Sequence, residues 1–191
     1  MLKRLSAFLT LSLLLALSQK AVAQSFTMKD RLKSRHDIGC VKAEALKPIY
    51  TPADLSKAVS TCNKEMRFED AFHIFFIYTI YGGYDAERVK DETAKDAMSV
   101  LNLRIFHSLT PETRKGFQAE VIKMADVNSP QYLQACDHAR RVGPPDYYPA
   151  YMIAHGRMAL SEGIGDGMKE NFDPEETWAQ VFGVLNGCAL E

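Results

Sequence analysis

The sequence lacks the short motifs by which catalytic and metal sites are usually located. It has no HExxH pair, no G-x-S-x-G turn and no CxxC spacing, and its five histidines are scattered along the chain. Without these motifs, neither a zinc hydrolase nor a serine hydrolase of the common types is indicated. The sequence therefore predicts no metal site, no cofactor and no catalytic residue from motifs alone.

Clusters of basic residues are also scarce. The chain has 23 lysines and arginines against 24 aspartates and glutamates, with a formal net charge of −1. Its one basic cluster, Lys29, Arg31, Lys33 and Arg35, lies on an N-terminal arm that we expect to be solvated. Because a phosphate-binding face needs clustered cations, the sequence predicts no nucleic-acid partner.

A single apolar run, Leu5 to Leu17, lies near the N-terminus, interrupted only by three hydroxyl residues. Lys3 and Arg4 precede it, and Ala21-Val22-Ala23 follows as a small-x-small pattern of the kind that signal peptidase cleaves. The run is shorter than the ~20 residues of a spanning helix. We therefore predict a signal peptide at residues 1–23, a periplasmic or secreted mature chain, and no integral membrane anchor. Cleavage removes three basic and no acidic residues, which takes the net charge from −1 to −4.

All four cysteines, Cys40, Cys62, Cys136 and Cys188, lie in the part predicted to be exported. An even number in an oxidising compartment favours two disulfides. Of the three possible pairings we prefer Cys40–Cys62 with Cys136–Cys188, because one bridge would pin the N-terminal arm and the other the last helix. A metal site is the alternative, supported only by the weak Cys136-x-His138 spacing.

One helix-start signal recurs four times, at Thr51-Pro52, Thr110-Pro111, Ser129-Pro130 and Asp173-Pro174. In each pair a side-chain oxygen can cap the first turn, and proline takes a position whose N–H needs no partner. Glu176 would complete a capping box in the fourth case, and Asp54 stands at the equivalent position of the first.

Apolar residues recur at helical spacing after each of these starts. The expected core positions are Leu55, Ala58, Val59, Cys62, Phe117, Val121, Met124, Leu133, Cys136, Ala139, Trp178, Val181, Phe182 and Leu185. Three more helices are expected at residues 68–81, 85–107 and about 147–160, and convincing strand alternation is absent. We predict an all-α fold of about seven helices, in one compact domain at 51–191 after an arm at 24–50.

Residues 55–81 read "LSKAVSTCNKEMRFEDAFHIFFIYTIY". A helix of small and apolar residues meets a short turn, and "RFEDA" then opens an aromatic helix with Ala71 at the close-packing position. This segment resembles the helical hairpin of tetratricopeptide and Sel1-like repeats, with Leu55 and Val59 where those repeats usually carry tryptophan and glycine.

A second copy of this hairpin is a further expectation. Gly82 follows Cys62 by twenty residues, and Gly156 follows Cys136 at the same distance. A repeated hairpin implies a scaffold with a concave surface for partners.

The most distinctive stretch is "PPDYYPAYMIAHG" at residues 144–156. Asp146 is expected to cap a helix that follows it. On this helix Tyr147, Tyr151 and His155 form one stripe, and Tyr148 lies on the adjacent stripe. A buried core face is the commoner outcome for such a stripe, and an aromatic groove that grips a partner is the alternative.

The stretch "FHIFFIYTIYGGYDAER" at residues 72–88 predicts the central buried helix, with His73 as a hydrogen-bonded core residue. Gly82-Gly83 is expected to end that helix and Asp85 to cap the next. Tyr84, Asp85 and Arg88 would then lie exposed beside the turn, where rigid loop residues often bind partners.

These patterns favour an exported helical binding module that contacts another protein. The predicted contact residues are Tyr84, Asp85, Arg88, Tyr147, Tyr148, Tyr151 and His155. One specific version, by analogy of class, is an immunity protein that neutralises a toxin delivered to the periplasm. The alternatives are a small cell-envelope hydrolase that uses His155 with a distant carboxylate, and an assembly factor for an envelope complex.

Overall fold

The computed structural model describes residues 32–160, 165–185 and 187–188. Within these ranges the chain forms no strand, and a single β-bridge joins Val89 to Met168. None of the helices found there combines the length and the hydropathy needed to cross a membrane. The predicted signal peptide, together with Lys29 and Arg31, lies outside the described residues.

Seven α-helices follow one another in the described ranges. They are α1 Pro52–Lys64, α2 Phe68–Arg88, α3 Asp96–His107, α4 Pro111–Lys123, α5 Pro130–Val142, α6 Ala150–Ile153 and α7 Pro174–Trp178. Short 3-10 turns lie at Ala43–Ala45, Glu92–Lys95 and Arg157–Leu160, and a π-helical segment, Ala179–Leu185, continues α7. The all-α prediction is confirmed.

The four predicted helix starts are all capped by the expected side chain. At α1 the Thr51 hydroxyl accepts from the Asp54 amide and the Asp54 carboxylate accepts from the Thr51 amide, which completes a capping box. The hydroxyls before α4 and α5 each accept one amide hydrogen bond from the first turn. Asp173 caps α7, but its exposed partner Glu176 does not return a side-chain bond, so the box predicted there is wrong.

Helix α2 lies at the centre of the fold and pairs with α1 as the predicted hairpin. Ala71, at the expected close-packing position, is fully buried. The remaining buried apolar residues of α2 are Phe72, Ile74, Phe76, Ile77, Tyr78, Ile80, Tyr81 and Tyr84. Apolar side chains around most of its circumference are what a helix needs when neighbours cover it on several sides.

Helix α2 does not end at Gly82-Gly83, and the expected helix start at Asp85 is wrong. A Cβ on Gly82 would lie 2.1 Å from Met98 Cε of α3, and one on Gly83 would lie 3.3 Å from Val181 Cγ1. The glycines therefore allow neighbouring segments to approach α2 closely instead of ending it. This continuation places Asp85 and Arg88 on the buried helix.

The single helix predicted at 85–107 is divided after Arg88. Val89 leaves helical geometry and pairs with Met168, and Asp91 then caps a 3-10 turn by accepting the Thr93 amide at 2.9 Å. The Asp91 carboxylate also accepts the Met158 amide at 2.6 Å, which ties this break to the last 3-10 turn.

The helix predicted at about 147–160 is reduced to the single turn α6. Pro149 precedes it without a side-chain cap, so the expected cap at Asp146 is wrong. The Asp146 amide donates instead to the Pro48 carbonyl at 2.9 Å. Because no long helix follows α5, the described residues do not form the second hairpin expected around Gly156.

The arm segment 32–50 is held against the helices. The Asp54 carboxylate accepts the backbone amides of Arg35 at 2.6 Å and His36 at 2.8 Å, and the Arg104 guanidinium donates to the Leu32 carbonyl at 2.6 Å. Hydrogen bonds to charged groups are about twice as strong as neutral ones. The Arg35 side chain is exposed, as expected for a solvated arm. Its backbone amide is nevertheless hydrogen-bonded to Asp54.

Both predicted disulfides are present. Cys40–Cys62 joins the arm to α1, and Cys136–Cys188 joins α5 to the residues after the π-helical segment. The preferred pairing is thus confirmed, and no cysteine is free. The alternative of a thiolate metal site at Cys136 is wrong, because that sulfur is already bonded.

We expect the two bridges to contribute unequally to stability. They span 22 and 52 residues, for which chain-entropy arguments give about 3 and about 4 kcal/mol. Replacing Cys136 and Cys188 by serine should therefore lower the free energy of unfolding in urea more than replacing Cys40 and Cys62. A loss below ~1 kcal/mol for either pair would contradict this account of the disulfides.

Candidate functional site

The residues predicted to line an exposed turn lie inside the protein. Asp85, Arg88, Tyr147 and Tyr151, here termed the Asp85 cluster, join α2 to the segment at the start of α6. Asp85 is 0% exposed and Arg88 is 6% exposed. The prediction that the turn at Tyr84, Asp85 and Arg88 is exposed is therefore wrong.

The Asp85 carboxylate is paired on both oxygens. Tyr147 and Tyr151 donate their hydroxyls to Oδ2 at 2.9 and 2.7 Å. Arg88 donates Nε to Oδ1 at 2.9 Å, and its Nη2 lies 2.7 Å from the same oxygen but is not aligned for a hydrogen bond. Since an unpaired buried carboxylate costs several kcal/mol, these three partners make the burial of Asp85 possible.

The two tyrosines of the cluster keep their protons at neutral pH. Burial raises the pKa of Asp85, and the Arg88 charge and the two tyrosine hydrogen bonds oppose that shift. Burial also raises the pKa of Tyr147 and of Tyr151 well above their usual range, and the nearby Asp85 charge adds to this effect. Both phenols therefore remain donors at neutral pH. The Asp85 carboxylate has no exposed surface and is therefore not accessible to a substrate. Its role is structural, because it links α2 to the segment that carries Tyr147 and Tyr151.

Arg88 is also enclosed by two aromatic rings. Its guanidinium carbon lies 5.2 Å from the centroid of the Tyr84 ring and 5.1 Å from that of Tyr147. Cation–π contacts of this kind are worth more when the cation is desolvated. Five of the seven predicted contact residues thus meet in one place, where Tyr84, Asp85, Arg88 and Tyr151 are buried and Tyr147 is partly buried.

The other two predicted contact residues lie apart from the cluster. Tyr148 is 52% exposed and donates its hydroxyl to the Asp166 carbonyl. His155 is half-buried, and its ring forms no hydrogen bond or ion pair with any residue that the structure describes.

Tyr151→Phe tests the importance of the Asp85 cluster for stability. It removes one hydrogen bond to a buried charge, which should lower the free energy of unfolding by about 1.5–3 kcal/mol. Tyr148→Phe is the matched control. Because Tyr148 is exposed, loss of its hydroxyl should change the free energy of unfolding by no more than ~0.5 kcal/mol. Urea unfolding at pH 7 measures both, and equal losses would contradict the role given to Asp85.

A second buried polar group is a pair of histidines, His73 on α2 and His138 on α5. Their ring centroids lie 4.8 Å apart, and both residues are at least nine-tenths buried. His138 Nδ1 contacts the Arg141 guanidinium, which can only donate, and lies 3.6 Å from Glu44 Oε1. His73 was expected to be hydrogen-bonded, but its Nε2 has no partner. No three-residue metal cluster exists in the described ranges.

Both rings favour the neutral form. Burial lowers the pKa of His73, and the neighbouring His138 lowers it further, against smaller opposing effects of Glu69, Asp70 and Glu44. Burial also lowers the pKa of His138, where Glu44 opposes and Arg141 assists the shift.

Acid should therefore weaken the fold through this pair. Histidines of the unfolded chain bind protons near pH 6.5, before the buried rings do, so the free energy of unfolding should fall as pH drops from 7 to 5. His73→Phe should flatten the dependence, whereas the exposed His107→Gln should preserve it. Identical pH profiles for His73→Phe and the parent in urea would refute this effect.

A cleft with exposed apolar side chains lies between α3 and α4. We term it the α3–α4 groove, and it is lined by Leu103, Phe106, His107, Arg114 and Gln118. Leu103 is 57% exposed and Phe106 is 39% exposed. The Arg114 Nη2 donates to the Phe106 carbonyl at 3.2 Å, which connects the two helices across the end of the cleft.

The apolar surface continues along α4. Val121 and Ile122 lie seven and eight residues after Arg114, on the same side of the helix as Gln118, and Ile122 is 71% exposed. Val121 was expected in the core and is instead exposed, as is Leu133 on α5. Phe117 is the only buried residue of α4; its ring packs edge-on against Phe75 with centroids 5.5 Å apart, and Gly116 beside it packs against Phe68.

Neither a family model, nor a curated protein, nor a solved structure matches this chain. The function is therefore argued from the geometry of the described residues alone.

Proposed function

We propose that the protein is an exported, disulfide-stapled helical module that binds another protein through the α3–α4 groove. The observation that carries this proposal is the exposure of Leu103, Phe106, Val121 and Ile122 on two adjacent helices. Contiguous apolar surface of this kind, edged by polar groups, is typical of a contact site. Single exposed leucines are common on protein surfaces and need no functional explanation. Several exposed apolar side chains beside one cleft are less common.

The α3 side of the groove is held against the core. On the inner side of α3, the Tyr78 hydroxyl donates to Asn102 Oδ1 at 3.1 Å, while Leu101 and Ile105 are fully buried. A contact surface that is ordered before binding loses little conformational entropy when the partner arrives. This favours a preformed binding face over one that folds on contact.

The expected location of the protein supports a partner outside the cytoplasm. Two disulfides are typical of chains that fold in an oxidising compartment. Together with the signal peptide predicted at 1–23, they favour the periplasm or secretion. Under this proposal, inhibition of a periplasm-delivered toxin and assembly of an envelope complex are two versions of the same binding role.

A quantitative capture experiment tests the proposal. The exported protein and a Leu103→Asp/Ile122→Asp variant are used to retain proteins from the cell-envelope fraction of the source organism. Each buried leucine or isoleucine is worth about 1.5–3 kcal/mol, so a true partner should be depleted at least tenfold by the variant.

Leu133→Asp is the matched control, because it places the same charge at an exposed leucine outside the groove. A partner retained by the parent and by Leu133→Asp, but lost with the groove variant, supports the proposal. If nothing depends on the groove while both variants unfold normally, the proposal is wrong. A toxin inhibited by the protein would identify an immunity role, and a multi-subunit complex would identify an assembly role.

A further inference from the structure

We propose that the α3–α4 groove receives an amphipathic helix of the partner protein, with carboxylates at the end that meets His107 and Arg114. This inference rests on the proposed function, and it specifies the chemistry of the partner segment.

The charge of the groove points to an acidic partner. Its two ionisable lining residues are His107 and Arg114, and none of its lining residues is a carboxylate. The Arg114 guanidinium has five N–H donors, and its described side-chain contact is the one bond to the Phe106 carbonyl. It forms no ion pair within the described residues. A carboxylate can bind the remaining donors in a bidentate geometry.

The α4 wall of the groove, taken from Arg114 to the exposed Ile122 beyond Gln118, has the length of two helical turns. Ile122 lies eight residues after Arg114 on α4, which corresponds to roughly 12 Å along the axis. A ligand helix spans that distance with anchors at positions i, i+4 and i+7, which lie on one face. Its carboxylates would then lie beside the first anchor, opposite Arg114.

An extended peptide fits this surface less well. Extended ligands gain affinity by pairing their backbone with the open edge of a sheet, and the described residues contain no strand. A helix satisfies its own backbone hydrogen bonds and needs only side-chain contacts. A second copy of the chain is also disfavoured, because its groove would bring two more basic residues and no carboxylate.

Two designed helical peptides test the inference against the exported protein. Both are hydrocarbon-stapled and carry leucines at i, i+4 and i+7; glutamates flank the first leucine in one, and lysines in the other. Fluorescence anisotropy should show that the acidic peptide binds about fivefold more tightly than the basic one at low salt, the size expected for an exposed ion pair. The preference should shrink in 0.5 M NaCl, because salt screens exposed charges.

Matched variants assign the effect to named residues. Arg114→Glu should reverse the preference toward the basic peptide, and Leu103→Asp should weaken both peptides at least tenfold. Lys115→Glu reverses a neighbouring exposed charge outside the groove lining and should leave the preference in place. Binding that depends on Leu103 but shows no charge preference would overturn this inference and leave the proposed function standing.

A photo-crosslinking residue at Gln118 identifies what occupies the groove. Crosslinks to the acidic peptide support the inference. Crosslinks to a second copy, or to the chain's own residues before Leu32, would overturn it. If neither peptide binds while capture of a partner still depends on Leu103 and Ile122, the helix is the wrong ligand. If that capture fails as well, the groove is not a contact site.

Discussion

A carboxylate with no contact with water must be neutralised or paired by its own protein, and Asp85 imposes this constraint on the whole fold. Its partners come from one turn further along α2 and from residues more than sixty positions later in the chain. Satisfying Asp85 therefore requires α2 to continue past its glycines and the 147–151 segment to dock on it. Removing one partner leaves a buried charge uncompensated, which costs more than the lost contact alone.

Much of the architecture was predictable because its determinants are local. The cap–proline pairs mark helix starts through bonds made within one turn, and these positions were all located correctly. The disulfide pairing also followed from the need to attach the arm and the last helix. The close-packed Ala71 was found through the resemblance to a repeat hairpin, although the described residues do not form the second hairpin expected from the Gly156 spacing.

The errors arose where tertiary contacts override local preference. Gly82-Gly83 looks like a helix end, but the requirement at that point is space for Met98 and Val181. The prediction that Tyr84, Asp85 and Arg88 are exposed is wrong for the same reason, because a helix end would have exposed Asp85 and Arg88. The groove was missed although it left a signal. A helix that is covered on one side needs only one apolar stripe. Helix α3 has two, because Leu101 and Ile105 face inward while Leu103 and Phe106 face outward.

Helix α4 packs on the core through Phe117 and the neighbouring Gly116, and the residues that line its outer side take no part in pairing Asp85 or in either disulfide. Substitutions there leave the interior charge balance untouched, so they carry little penalty for folding.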